Sequence, residues 1–144
     1  MFKKVAVGGT FDHLHKGHKA ILRKAFEIGE EVIVGITSDE MLQKEADPLP
    51  VRIEKLEKFL SDFEYDLVVL NDPYGPTISD PKIDAIVVSK DTEPEVKEIN
   101  RIRRENNMAD LRSNIVEMVL AQDGKLISST RIRHGEIDEE GTLL

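Results

Sequence analysis

Two histidines three residues apart, His15 and His18, flank a glycine in the run Val7–His18, VGGTFDHLHKGH. A short apolar stretch, Val5-Ala6-Val7, runs into Gly8 and Gly9, Thr10 follows, and a helical pattern starts near Gly17. Strand, glycine turn and helix start, in that order, make a phosphate site. Glycine permits positive φ and close backbone approach, and a helix N-terminus presents free N–H groups and positive potential. Here imidazoles stand where a P-loop would carry a lysine. Imidazole donors at that point suit the non-bridging oxygens of a phosphate and the charge that builds on a five-coordinate phosphorus. The chemistry this selects is attack on the α-phosphate of a nucleotide rather than transfer of its γ-phosphate.

A second polar cluster stands far along the chain, Ile127-Ser128-Ser129-Thr130-Arg131-Ile132-Arg133. Its hydroxyls can cap a helix that begins there. The same hydroxyls and amides can hold the β- and γ-phosphates of a nucleotide, with Arg131 or Arg133 adding charge. A zinc site is the competing use of the histidine pair, but it needs a third protein ligand. Only His13 and His134 remain, and the chain has no cysteine. Neither Gly-x-Gly-x-x-Gly nor a Walker lysine motif occurs, which disfavours a dinucleotide site and an ordinary P-loop.

The elements that must position these groups follow from hydrophobic patterning. Short apolar runs recur at Val5–Val7, Val32–Val34, Leu67–Leu70, Ala85–Val88 and Ile115–Val119. They do not alternate with polar residues, so both faces should be buried, as in a parallel sheet. A helix is expected over about Gly17–Ile28. A second starts near Val51 with Ile53, Leu56, Leu60 and Phe63 on its apolar face, and a third, after Pro94, carries Val96, Ile99 and Ile102. Strands alternating with helices give right-handed βαβ units. The fold class expected is α/β: one Rossmann-like domain over residues 1–144, a five-stranded parallel sheet with helices on both faces. In such sheets ligands bind beyond the carboxyl ends of the strands. Asn71–Pro81, with three prolines and one glycine, reads as a long functional or mobile loop. Glu136–Leu144 reads as peripheral.

Net charge is −8, against nonspecific nucleic-acid binding. A phosphate ligand therefore needs a local basic pocket. No apolar run approaches the roughly 20 residues of a membrane helix, and the expected location is cytoplasmic. The cluster Arg101, Arg103 and Arg104 on the third helix is a local exception to the acidic balance. Arg101 and Arg104 share a side and are expected to meet the triphosphate, whereas Arg103 is expected in solvent. The alternative for the cluster is an exposed face paired with Glu98 and Glu105. Asp12 is expected to lock its turn by local hydrogen bonds.

Together the two motifs resemble the nucleotidyltransferase superfamily named for its His-x-Gly-His signature, whose second signature matches ISSTRIR. Cytidylyltransferases share the first motif but carry a different second one, which favours adenylyl transfer. Leu70–Pro81, Val87–Thr92 and Ile99–Asn107 are similar to pantetheine-phosphate adenylyltransferases of the archaeal type, and the resemblance runs from about Val5 to Arg133. Those relatives usually carry an acidic residue where Lys90 stands. The resemblance implies that ATP and 4′-phosphopantetheine give dephospho-coenzyme A and pyrophosphate, with dephospho-coenzyme A or coenzyme A as product or inhibitor. It implies Mg²⁺ bound mainly through the ATP phosphates, with no protein metal ligand. By the same resemblance Thr10, His18 and Lys44 are catalytic. Gly8, Gly9, His15, Ser89, Asp91, Ser128, Ser129 and Thr130 join Arg101 and Arg104 in binding nucleotide. Thr10 and Lys44 also hold the acceptor phosphate, and Tyr74 is expected to wall the pantetheine arm or to cover a partner surface. A cytidylyltransferase, an adenylyltransferase for another mononucleotide and a nucleotide sensor without turnover are the rival readings.

Overall fold

The computed structural model describes residues 1–144. Strands β1 (Phe2–Gly9), β2 (Gly29–Thr37), β3 (Asp66–Leu70), β4 (Ala85–Ser89) and β5 (Arg112–Val116) form one sheet in the order β3-β2-β1-β4-β5. Every pairing is parallel. The helices are α1 (Lys16–Ile28), α2 (Leu49–Phe59), α3 (Glu93–Glu105) and a short α4 (Ser129–Arg133). Chain order reverses direction across the sheet between β1 and β4. Such a switch point leaves a crevice beyond the strand ends, and the segments after β1 and β4 both open there.

Side chains alternate across the sheet, so each central strand feeds two cores. Val5, Val7, Val32, Val34 and Val87 pack with Leu22 and Ala25 of α1, with Leu56 of α2 and with Leu60 at its end. Ala6, Ile33, Ile86 and Val88 point the other way, onto Val96 and Ile99 of α3. This two-sided burial explains why the central runs read as continuously apolar.

Several expectations fail at the periphery. β3 and β5 are the sheet edges, so their apolar runs are only half buried; Val69 and Ile115 are exposed. β5 starts earlier and stops at Val116. α2 ends at Phe59, and Phe63 lies beyond it, stacked on Phe26 at 4.4 Å. Asn71–Pro81 is not without secondary structure. A 3₁₀ turn at Gly75–Ile78 carries the chain across the α3 face, where Tyr74 and Ile78 pack against the second core.

Arg103 holds that crossover. It is almost fully buried rather than solvated. Its guanidinium donates to the carbonyls of Thr77 (2.7 Å), Asp80 (3.2 Å), Ile83 (3.0 Å) and Ala109 (2.7 Å). Nor is the carboxyl tail peripheral. Ile137 is fully buried with Ala121 and Ile127, and the Lys16 amide donates to the Glu139 carbonyl at 3.0 Å. The tail is thereby tied to the first residue of α1. No helix is long and apolar enough to cross a membrane.

Candidate active site

The first motif begins where β1 ends. Gly8 and Gly9 remain in strand register with Gly35 and Ile36, so they do not supply the expected positive φ. That conformation falls instead on Phe11 (φ 52°) and His13 (φ 46°). Non-glycine residues in this region are uncommon and carry strain. Here burial of Phe11 in the core and of Asp12 beside it fixes the turn.

His15 is the N-cap of α1. Its Nδ1 accepts from the amides of Gly17 (3.1 Å) and His18 (3.4 Å). His18 Nδ1 in turn accepts from the His15 amide at 3.2 Å. The pair is a capping box built from two imidazoles. Their rings stack with centroids 3.6 Å apart, and Phe11 meets His18 edge-on at 5.4 Å. A Cβ at Gly17 would lie 3.0 Å from the His15 ring, so any larger residue there would push against the stack.

Two consequences follow. The first-turn amides expected to face a phosphate are already spent on His15, and the Lys16 amide on Glu139. And because each Nδ1 accepts a hydrogen bond, each neutral ring carries its proton on Nε2, which becomes the available donor. Burial, joined by the nearby Lys44 charge, holds His15 down at about 4. Burial and the His15 neighbour hold His18 at about 3. Both imidazoles are neutral donors at physiological pH.

The distant motif meets the first directly. Ser128 caps α4 by accepting from the Arg131 amide at 3.2 Å. The buried Ser129 hydroxyl donates to the Asp12 carbonyl at 2.7 Å, across 117 residues of sequence. Arg133 reaches the Asp12 carboxylate at 3.1 Å. Asp12 also accepts from the Asp47 amide at 2.9 Å, so its carboxylate fastens two distant segments and not, as expected, its own turn. Burial pushes the Asp12 carboxyl up, but the Asp47 amide and Arg133 outweigh it and hold the group below its ordinary value. The histidine turn and the hydroxyl run thus border one site.

Thr10 follows β1 at this edge, and Lys44 lies exposed in the segment between β2 and α2, close enough for its charge to act on both imidazoles. Ser89 ends β4 at the same edge; its amide donates to the Thr92 hydroxyl at 3.2 Å, closing the turn that contains exposed Asp91. Thr130 is exposed on α4.

The arginine expectation is overturned. α3 starts beyond the end of β4 and runs back, so its last turn lies beside Ile83 and Ala109, which precede β4 and β5. Arg101 pairs there with Glu98 and Glu105, and Arg104 with Asp110. Neither comes to the histidine turn. Arg131 is bound to Asp123 and the Leu126 carbonyl, holding the hairpin before α4. Tyr74 packs on the sheet face under the crossover. Missing from the expected set was Arg52, almost fully buried and bonded to the Thr10 carbonyl at 3.0 Å. Its position four residues before Leu56, on the buried face of α2, was the available signal.

The cytidylyltransferase-like family model matches residues 6–135. A phosphopantetheine adenylyltransferase of Methanothermobacter thermautotrophicus is 47% identical over 99% of this chain and 90% of its own. The chain belongs to the phosphopantetheine adenylyltransferases of the cytidylyltransferase-like family. A second such adenylyltransferase, from Methanosarcina acetivorans, is 46% identical over 97% of this chain and 95% of its own. A solved structure of a protein of unknown function from Archaeoglobus fulgidus superposes with a TM-score of 0.72 at 31% identity, covering 78% of this chain and 88% of that one. Membership in this adenylyltransferase family makes the protein a nucleotidyltransferase, and the parallel sheet with its switch point is the Rossmann-like frame expected of it.

Proposed function

We propose that the protein transfers the adenylyl group of ATP to 4′-phosphopantetheine, the acceptor named by its relatives. An oxygen of the acceptor phosphate attacks the α-phosphorus. The bond from that phosphorus to the β-bridging oxygen breaks, and pyrophosphate leaves with the electron pair. A phosphate monoester is largely dianionic near neutral pH, so no general base is required. Catalysis is then positioning and charge stabilisation.

The hydrogen bond of Ser129 to Asp12 carries this reading, because it makes one site of the two motifs. His18 Nε2–H donates to the α-phosphate as charge builds, and His15 steadies His18 and the triphosphate. Lys44 bridges the two reacting phosphates, and Thr10 orients the acceptor. Gly8 and Gly9 let the nucleotide approach the backbone, and Ser89 and Asp91 face it from β4. Ser128, Ser129 and Thr130 border the β- and γ-phosphates. ATP enters as its Mg²⁺ complex, the ion neutralising phosphate charge. The ligand atoms of Asp12, His13 and Asp47 lie within 4.8 Å of one another, and both carboxylates of that cluster pair with Arg133.

Pyrophosphate release is to be measured with ATP or CTP against 4′-phosphopantetheine, glycerol phosphate and nicotinamide mononucleotide. Turnover confined to ATP with 4′-phosphopantetheine is expected. Turnover with CTP and glycerol phosphate in its place overturns the reading, and nucleotide binding without pyrophosphate marks a sensor.

A further inference from the structure

The segment between β2 and α2 carries Lys44, and its two ends are fastened by one side chain. Arg52 is 1% exposed, yet its guanidinium has no buried carboxylate partner. It spreads over four acceptors instead. Nε donates to the Asp47 carbonyl at 2.7 Å, and one terminal nitrogen donates to the carbonyls of Thr10 (3.0 Å) and Thr37 (2.7 Å). The other terminal nitrogen meets Asp39 at 2.8 Å. That same Asp39 carboxylate accepts from the Leu49 amide at 3.0 Å, capping α2.

The four acceptors are not random neighbours. Thr37 closes β2, Asp39 and Asp47 bracket the segment bearing Lys44, and Thr10 follows β1 at the reacting end. Asp47 is also bonded through its amide to Asp12, beside the histidine turn. Lys44 is exposed and has no ion-pair partner in the chain, so nothing local sets its place. Its position depends on the ends of its segment.

We propose, building on the role given to Lys44 above, that Arg52 is a positioning residue of the transfer. By clamping the Thr10, Thr37 and Asp47 carbonyls and pairing with Asp39, it fixes the segment that carries Lys44 beside the histidine turn. A planar guanidinium fork is needed, because an ammonium is a compact point charge without that fixed multi-donor geometry. Arg52→Lys therefore keeps the charge and loosens the segment.

The test is a double-mutant cycle on kcat with ATP and 4′-phosphopantetheine: wild type, Lys44→Ala, Arg52→Lys and both together. Residues acting through one another are non-additive. Misplacement of about 1 Å costs up to roughly 10²-fold in rate. Arg52→Lys is expected to lower kcat by at least about tenfold on that basis, yet to add little in the Lys44→Ala background. A purely structural role would cost the same in both backgrounds, and that multiplicative result overturns the proposal. Thermal unfolding reports whether Arg52→Lys folds. Should it not, Asp39→Asn takes its place in the cycle, since Asp39 is 53% exposed and its loss removes the guanidinium's one charged partner. Wild-type kcat in a folded Arg52→Lys overturns Arg52 alone. Wild-type kcat in Lys44→Ala removes the role of Lys44 and that of Arg52 with it. Absence of dephospho-coenzyme A from the wild-type protein removes the transfer reaction itself.

Discussion

In the proposed reaction His18 does one thing: it donates from Nε2 to a phosphate whose charge is growing. Removing one preorganised donor to developing charge costs roughly 10²–10³ in rate. His18→Ala is accordingly expected to lower kcat by that factor while the ATP dissociation constant changes far less; near-normal kcat removes the assigned role. The pair also predicts a pH signature. His15 and His18 titrate at about 4 and about 3 when folded, against 6.5 in an unfolded chain. Between these values the unfolded state binds more protons, so their contribution is fully present above pH 6.5 and is lost as pH falls below it. Tm should decline from pH 6.5 to pH 5, and His15→Gln with His18→Gln should flatten that slope. An unchanged slope in the double variant would mean that the rings are not held neutral by the fold.

At the scale of elements, most of what positions the site could be read in the chain. The central strands betray themselves because both of their faces are buried. α1 was legible from its apolar face, and Pro94 marked the start of α3. The edge strands misled because Leu67–Leu70 is as apolar as the central runs and Ile115–Val119 is interrupted only by Glu117, while burial depends on neighbours that periodicity does not register. The arginines misled for a related reason. Spacing placed Arg101 and Arg104 on one side but carried no information on which end of the sheet that turn would reach. Arg103 reads as a surface charge until its four carbonyl partners are known. Arg103→Met should orphan those carbonyls at a cost of about 1–3 kcal/mol each where water cannot replace the donor. Since about 1 kcal/mol moves Tm by 2–4 °C in a domain of this size, a fall of roughly 10 °C is expected by thermal denaturation. A loss under about 2 °C would show that the crossover holds without it. The tail was similarly undervalued, because Ile137 is one isolated apolar residue among acids. Deleting Glu136–Leu144 exposes Ala121 and Ile127 and frees the Lys16 amide. It should therefore depress turnover as well as Tm, and an active truncated chain would return the tail to the periphery.

For the molecule as a whole, the sheet order sets what the residues can do. A crevice at the β1–β4 switch receives the imidazole pair from one side and Ser89 from the other, and the carboxyl-terminal segment folds back to deliver the hydroxyl run. In the proposed reaction a chain of net charge −8 gathers neutral donors and one unpaired lysine around the triphosphate, instead of a broad basic surface. That arrangement favours reaction at the phosphorus nearest the histidines. It is tested most directly by following phosphorus itself. The protein is incubated with 4′-phosphopantetheine and ATP labelled with ³²P at either the α- or the γ-position, and the products are separated and identified by mass. The α-label should appear in dephospho-coenzyme A and the γ-label only in pyrophosphate. A γ-label in the pantetheine product, or an α-label that remains in ADP, would contradict the account.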